Sequence, residues 1–222
     1  MSHHILLLGA PGAGKGTQSA KIAEEYGVEH VTTGDALRAN KDMDIGHMDT
    51  EYDTPRAYME AGELVPDDVV RKLAENAIAD QGFDDFVLDG YPRTTQQAEW
   101  LTAFLDENDV PLDAVVSLTV PDDVIVQRLS RRRVHAETGE TYHLDHDPPP
   151  DDVDPDLIVQ REDDQPDTIR NRLSVYREET EPLENYFESR DLLVTVDGTG
   201  DIREVYDRIT TVLDDRVAAS PK

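Results

Sequence analysis

The sequence predicts an α/β fold, with a five-stranded parallel sheet covered by helices on both faces and two smaller lobes inserted between its elements. Short apolar runs alternate with helical patterns, as in a parallel sheet buried on both faces. A glycine-rich loop separates the first run from a helix, and two polar segments interrupt the alternation. A chain of 222 residues is long enough to bury one such core.

Five apolar runs are the candidate strands. Each is followed by polar turn residues and, further along, by a helical pattern. In chain order the runs are residues 5–8, 30–32, 86–88, 114–120 and 192–196. Ligands in such folds gather beyond the carboxyl ends of the strands, so the residues after each run are the first candidates for a site.

The loop after the first run, residues 9–17, has the sequence GAPGAGKGT. Between a strand and a helix, such a loop surrounds a phosphate with main-chain N–H groups, and the helix adds its positive N-terminal end. Lys15 supplies a mobile charge that can reach a terminal phosphate. Gly16, rather than Ser or Thr, follows this lysine directly, and Thr17 comes one place later. The loop therefore indicates a sub-family of phosphate-binding loops.

The segment after the third run contains Asp89, Gly90, Pro92 and Arg93. An aspartate at this point is often only a helix cap or turn residue. Beside a phosphate-binding loop, it is more often the acid that holds Mg²⁺ directly or through water. Arg93 is expected at the same sheet edge as Lys15, and Gln97, four residues further on, is expected to share a helical face with Arg93.

Further arginines follow the second and fourth runs. Thr32 or Thr33 is expected to cap a helix that carries Arg38, although an ordinary surface helix would have the same pattern. A helix that begins after Pro121 carries Arg128 and reaches the triplet 131–133. The triplet allows a solvated basic face or internal salt bridges. Arg128 and Arg132 would repel each other on one helical face unless an anion lay between them.

The remaining segments predict the lobes and the last helices. Residues 134–166 suit either an acidic linker or a small sheet with a hairpin turn at 137–140; a metal site built on His135, His143 and His146 is disfavoured without cysteine. Helices are expected at 69–79, at 167–188 with a kink at Pro182, and from Asp201 to residue 212.

The composition limits partners and compartment. The chain has 49 acidic and 21 basic residues, a formal charge of −28, and only five lysines. This field repels nucleic acid, and a disordered chain, the first alternative, is disfavoured by the regular apolar runs. We expect a cytoplasm with molar salt, where the Debye length is roughly 3 Å. The absence of cysteine rules out disulfides and cysteine-ligated zinc, and no apolar run approaches a membrane span.

The motifs, in their order along residues 8–200, resemble those of the adenylate kinases with a long lid. They are the glycine-rich loop, TGDALR, DGYPRT, RRVH, DDQ and a late DGT. The resemblance implies a P-loop NTPase fold with a core of residues 1–31, 66–130 and 165–222, an AMP-binding lobe of residues 32–65 and a lid of residues 131–164. Both lobes are expected to move. Where some relatives bind zinc in the lid, this chain has His135, Thr138, Asp151 and Asp154, which predicts a polar hydrogen-bond network without structural zinc.

The resemblance also implies an activity and its residues. The reaction would be reversible, Mg²⁺-dependent phosphoryl transfer from ATP to AMP giving two ADP, which serves adenine nucleotide homeostasis. The implied catalytic residues are Lys15, Arg93, Arg128, Arg132, Arg161 and Arg172. The implied ATP-binding residues are Gly12, Ala13, Gly14, Lys15, Gly16, Thr17, Arg128, Arg132, Thr141, Tyr142 and Gly200. The implied AMP-binding residues are Thr33, Arg38, Glu63, Leu64, Val65, Gly90, Tyr91, Pro92, Arg93, Gln97, Arg161 and Arg172. Asp89 would contact Mg²⁺ through water.

Several alternatives remain at this stage. The acceptor could be UMP, CMP or GMP, although Gln97 and the long lid favour AMP. A kinase for a small metabolite would use Asp35 or Asp89 as a base toward a hydroxyl, but Arg38 and Arg93 favour a phosphate acceptor. A non-enzymatic alternative is a nucleotide-binding scaffold without catalytic activity, and the many arginines at the predicted site argue against it. We expect a cytoplasmic monomer whose partners are ATP, AMP and ADP, with no nucleic acid or membrane.

Overall fold

The computed structural model describes residues 3–48, 51–145 and 147–219. Within these ranges the chain forms the predicted parallel sheet. Its strands are β1 (His4–Gly9), β2 (Glu29–Thr32), β3 (Phe86–Asp89), β4 (Ala114–Thr119) and β8 (Leu193–Asp197). They lie in the order β2-β3-β1-β4-β8, and every neighbouring pair is parallel. The strand that precedes the glycine-rich loop is therefore central, with β3 and its terminal Asp89 beside it.

Helices cover both faces of this sheet. The helices in the described residues are α1 (Lys15–Tyr26), α2 (Thr33–Ala39), α3 (Pro55–Ala61), α4 (Asp67–Asp80), α5 (Thr95–Glu107), α6 (Asp122–Arg131), α7 (Pro166–Val175), α8 (Leu183–Glu188) and α9 (Ile202–Ala219). Side chains alternate along β1, so Leu6 and Leu8 pack in one apolar core and Ile5 and Leu7 in the other. All six residues of β1 are buried, which fixes the position of the loop that follows.

The two inserted segments differ in structure. Residues 33–61 form α2, a short 3₁₀ turn at Gly46–Met48 and α3. Residues 132–159 form a three-stranded antiparallel sheet of β5 (Arg132–His135), β6 (Thr141–His143) and β7 (Ile158–Val159), with β5 in the middle. The prediction of a small sheet with a hairpin turn is therefore confirmed, and the acidic-linker alternative is wrong. His146 of the disfavoured metal site lies outside the described residues.

Three sequence-based expectations need correction. The helix expected at 167–188 is interrupted, since a π-helical turn at Tyr176–Thr180 separates α7 from α8. The final helix continues to Ala219 rather than ending at residue 212, with Asp201 capping its start through the N–H groups of Arg203 and Glu204. Arg132 is the first residue of β5, so it does not share a helical face with Arg128, and the predicted repulsion between them does not arise.

Candidate active site

Lys15 lies at the junction of the glycine-rich loop and α1. Gly14 before it has φ +103°, a conformation that favours glycine and lets the loop turn directly into the helix. The Lys15 ammonium donates to the carbonyl oxygens of Gly9 (2.7 Å) and Ala10 (3.0 Å). Burial lowers the pKa of Lys15 to about 8, and nearby Asp89 only partly opposes this effect. A phosphate at the loop would restore the charge that burial disfavours.

Asp89 approaches the loop closely. It ends β3, where it pairs with Leu7 of β1 and Thr32 of β2. A Cβ built on Gly16 would lie 3.3 Å from Asp89 Oδ2. The structure thus gives a reason for the unusual Gly16, because a larger residue directly after the lysine would crowd this carboxylate.

A cleft opens at the carboxyl edge of the sheet, bounded by α2, α4 and α7. Together with the space open to solvent, the cleft has a volume of about 1040 Å³. Lys15 lines this cleft, as do nine of the residues predicted to bind AMP. These nine are Arg38, Glu63, Leu64, Val65, Gly90, Pro92, Arg93, Gln97 and Arg172. Thr33, Tyr91 and Arg161 do not line it; Tyr91 is fully buried, and its hydroxyl donates to the carbonyl of Gln97 at 3.3 Å.

Arg93 is held by bonds on several sides. Its Nε donates to Gly90 O at 2.9 Å, and its backbone carbonyl accepts from Thr180 Oγ1 at 2.8 Å. Its backbone N–H donates to Gln97 Oε1 at 2.7 Å. Arg93 precedes α5, so it meets Gln97 through this bond rather than through a shared helical face. Its terminal guanidinium nitrogens make no hydrogen bond within the described part of the chain, which leaves them available to an anion.

Two aspartates, Asp163 and Asp164, bind the side chains of Arg172 and Arg132. Arg172 Nη1 donates to Asp163 Oδ2 at 2.7 Å, and Arg132 makes two bonds to Asp164, at 2.8 and 2.6 Å. Burial alone would raise the pKa of Asp163, but Arg172 and Arg132 hold it below its usual value. Burial, followed by the charge of Arg132, lowers the pKa of Arg161 to about 10, and burial followed by Arg172 does the same for Arg93. Arg93 and Arg161 therefore stay protonated at neutral pH.

The predicted ATP-binding residues other than Lys15 lie outside this cleft. Arg128 donates to Ala13 O (3.2 Å) and to Gly198 O (3.0 Å), which joins α6 to the loop and to the turn after β8. Gly200 lies in that same turn with φ +105°. In the lobe sheet, Thr141 is exposed, whereas Tyr142 is buried and its hydroxyl donates to Glu140. The structure thus gathers Lys15 and nine of the residues predicted to bind AMP around one cavity, and Thr141 and Tyr142 do not line it.

Sequence reasoning assigned no role to Asp67, Asp163 and Asp164. The last two belong to the DDQ motif, an acidic pair in a segment rich in arginine. Asp67 lies in the first turn of α4, and its carboxylate accepts from Gln97 Nε2 at 2.6 Å and from Thr94 Oγ1 at 2.9 Å. A helix-start residue that binds a site residue 30 positions later has no local sequence signature.

The lobe sheet holds its polar residues by local contacts. His135 Nδ1 accepts from Thr138 N at 3.2 Å, Thr138 Oγ1 from Glu140 N at 3.3 Å, and Asp154 Oδ1 from Asp156 N at 3.0 Å. In the described residues, His135, Thr138 and Asp154 therefore bond within their own turns rather than to one another's side chains, unlike the predicted network. Among all the residues that the structure describes, no group of three or more His, Asp or Glu side chains is placed to bind a metal. No helix in the described ranges is long and apolar enough to cross a membrane.

Comparison with known proteins agrees with this geometry. A family model described as adenylate kinase matches residues 7–192, most of the chain. The chain belongs to the adenylate kinase family. An adenylate kinase of Salinibacter ruber is 63% identical over 95% of this chain and 97% of its own length. The adenylate kinase of Halobacterium salinarum is 49% identical, covering 98% of this chain and 100% of the relative. The adenylate kinase of Natronomonas pharaonis is 50% identical over 95% of this chain and 97% of its own length. The acidic composition fits the halophilic archaea among these adenylate kinases.

Proposed function

We propose that this protein transfers the terminal phosphoryl group of ATP reversibly to AMP and forms two ADP. The observation that carries the proposal is that Lys15, Arg93, Arg172 and Gln97 all line one cleft. Cationic side chains for a phosphate, together with an amide and apolar side chains for a base, suit a nucleoside monophosphate. Membership of the adenylate kinase family supports the same activity.

ATP binds, in this proposal, at the glycine-rich loop. The backbone of residues 12–17 surrounds its phosphates, and Lys15 contacts the terminal one. Arg128 and Arg132 neutralise the triphosphate from the side of α6 and β5. The lid closes with Thr141 and Tyr142 over the adenosine, which rests against Gly200 and its turn.

AMP occupies the cleft. Its phosphate is bound by Arg38, Arg93 and, through the transferring group, Arg161 and Arg172. Thr33, Gly90, Tyr91 and Pro92 shape the wall behind it, Tyr91 through its buried ring. The base lies between the segment of Glu63, Leu64 and Val65 and the amide of Gln97.

The chemistry needs no general base, because the AMP phosphate is already an anionic nucleophile. An AMP phosphate oxygen forms a bond to the terminal phosphorus of ATP while that phosphorus loses its bond to the bridging oxygen, which leaves on ADP. The barrier comes from bringing two polyanions together, and fixed guanidinium groups lower it by offering paired donors to phosphate oxygens. The aspartates that hold Arg132 and Arg172 keep these guanidinium groups in place before the nucleotides arrive.

Mg²⁺ fits the loop end of the site. The Asp89 carboxylate beside Gly16 is a hard oxygen donor of the type this ion prefers, and it would hold Mg²⁺ through water. When bound, the ion would neutralise charge on the ATP phosphates. Thr17 is exposed at the start of α1 and is not assigned as a ligand.

Two lobes would move around a fixed core. Residues 32–65 form the AMP-binding lobe, residues 131–164 the lid, and residues 1–31, 66–130 and 165–222 the core. Closure excludes water from the transferring phosphoryl group and so prevents hydrolysis of ATP. We place the enzyme, as a monomer, in a cytoplasm of high salt, with ATP, AMP and ADP as its partners.

An acceptor panel tests the proposal. Purified protein at molar KCl receives ATP and Mg²⁺ with AMP, UMP, CMP, GMP or a hydroxyl acceptor such as glycerol, and ADP formation is followed. We expect ADP to form with AMP at a rate far above the rates with the other acceptors. No ADP above background with AMP would overturn the proposal, and faster transfer to UMP or CMP would reassign the base.

A further inference from the structure

We propose that Asp67 is a positioning residue that makes the enzyme selective for adenine, because it fixes which way the side-chain amide of Gln97 faces. The inference rests on the proposed function, in which Gln97 meets the base of the acceptor nucleotide. Asp67 itself does not line the cleft and lies behind Gln97, in the first turn of α4.

The Gln97 amide is held at both ends. Gln97 is 1% exposed, yet it lines the cleft. Its Nε2 donates to Asp67 Oδ1 at 2.6 Å, and its Oε1 accepts from the backbone N–H of Arg93 at 2.7 Å. The other oxygen of Asp67 accepts from Thr94 Oγ1 at 2.9 Å, which orients the carboxylate toward Gln97.

These partners allow only one orientation of the amide. A carboxylate can only accept a hydrogen bond, and a backbone N–H can only donate one. Rotating the amide by half a turn would place Oε1 against the Asp67 carboxylate and the Nε2 hydrogens against the Arg93 N–H. Both contacts would be repulsive in a buried site, where an unmade bond is costly.

The fixed orientation has a consequence for the base. After these bonds, the amide keeps one N–H and one oxygen lone pair for a ligand. Adenine offers an acceptor at N1 beside the donor N6–H₂, whereas hypoxanthine and guanine offer the donor N1–H beside the acceptor O6. An amide free to rotate could match either pattern by exchanging its donor and acceptor. Asp67, together with the Arg93 N–H, opposes that exchange, so the Gln97 amide presents its donor and acceptor to the base in one arrangement.

Asp67 has a neighbour that serves as a matched control. Asp68 follows it in the same helical turn, carries the same charge near the same helix N-terminus and is exposed. It makes no hydrogen bond to Gln97. An effect of Asp67 on the helix dipole alone would therefore be shared by Asp68.

The test compares AMP with inosine monophosphate, which differs from it in the N1 and C6 positions. For each variant, kcat/KM is measured for both acceptors with ATP and Mg²⁺ at molar KCl. The ratio of the two values does not depend on the fraction of folded enzyme, so a destabilised variant still gives an answer. We expect Asp67→Asn to lower the AMP-to-IMP ratio by about tenfold, mainly through a higher KM for AMP, while the KM for ATP is unchanged. Asp68→Asn should leave the ratio within about twofold of the wild-type value.

Gln97→Leu separates this inference from the function on which it rests. We expect this variant to lower the ratio, and Asp67→Asn to have no further effect in its background, since Asp67 acts through Gln97. If Gln97→Leu leaves the ratio unchanged, the base is not read by Gln97, and the assignment of the AMP site fails. If Gln97→Leu lowers the ratio but Asp67→Asn does not, or if the two effects add independently, the role of Asp67 is refuted while the AMP site stands.

Discussion

Arg132 and Asp164 are joined by a pair of hydrogen bonds, at 2.8 and 2.6 Å, and the Asp164 carboxylate is completely buried. The pair links the first residue of the lobe sheet to the 3₁₀ turn that precedes α7. Its paired geometry orients the guanidinium that we assign to the nucleotide phosphates.

We predict that Asp164→Asn lowers the free energy of unfolding by about 3 kcal/mol or more, because it leaves a half-buried arginine without its counter-charge. Arg131, the residue before Arg132, forms a similar two-bond pair with Asp145 at the surface. Asp145→Asn should cost less than about 1 kcal/mol, since exposed pairs contribute little. Urea denaturation at constant KCl measures both values. Equal losses in the two variants would contradict this account of the buried pair.

The pKa of Lys15 predicts proton uptake on ATP binding. In the free protein, burial lowers this pKa to about 8 from an ordinary value of 10.5, so Lys15 loses its proton as the pH rises through 8. A bound phosphate raises the pKa again, and binding near pH 8.5 should therefore take up a proton. Titration calorimetry in two buffers of different ionisation enthalpy measures this uptake.

We further expect ATP affinity to fall as the pH rises above 8, because more of the free protein must first gain a proton. At pH 6.5 Lys15 is already charged, and its contribution to proton uptake should vanish. Lys15→Met is the control, and it should remove the uptake at pH 8.5. Uptake of the same size in Lys15→Met would show that another group is responsible.

Arg93→Ala should lower kcat by about 10²- to 10³-fold, the usual cost of removing a fixed donor to transition-state charge. The fold should survive, because in the described part of the chain the guanidinium makes a single hydrogen bond, from Nε to Gly90 O at 2.9 Å. Circular dichroism and melting temperature verify the fold. Arg190→Ala is the control, since Arg190 stacks on Tyr186 at 3.5 Å at the surface. Near-wild-type turnover in Arg93→Ala would reject its assignment.

The formal charge of −28 predicts stability that depends on salt. The Debye length falls from about 10 Å at 0.1 M to about 3 Å at 1 M, so self-repulsion is screened within that range. We expect the melting temperature to rise with KCl, with most of the increase below about 1 M. Equal or greater stability at low salt would contradict the halophilic interpretation.

The sheet could be predicted from the sequence because both of its faces are buried. Apolar runs such as 5–8 and 86–88 are stable only when they are buried. Each predicted strand end differs from the observed one by no more than one residue. Local signals also sufficed for the cap at Asp201 and the turn at Gly14. Each depends on a residue and its immediate neighbours along the chain.

Contacts between distant segments could not be predicted in the same way. The π-helical turn at Tyr176–Thr180 has the same residue types as an ordinary helix, and one of its contacts is the bond from Thr180 to Arg93, 87 positions away. The triplet 131–133 continues the helical pattern of α6, but the backbone of Arg132 pairs with His143 of β6 and so begins a strand. The role of Asp67 likewise depends on how α4 packs beside α5.

The central claim is that two nucleotides meet with their phosphates at one place between the glycine-rich loop and the cleft. A single molecule carrying two adenosines joined by five phosphates tests it most directly, by calorimetric titration at molar KCl with Mg²⁺. We predict one molecule bound per chain, which prevents binding of both ATP and AMP, and weaker binding in Arg93→Ala. Two molecules bound per chain, or AMP binding that persists at saturation, would contradict the claim.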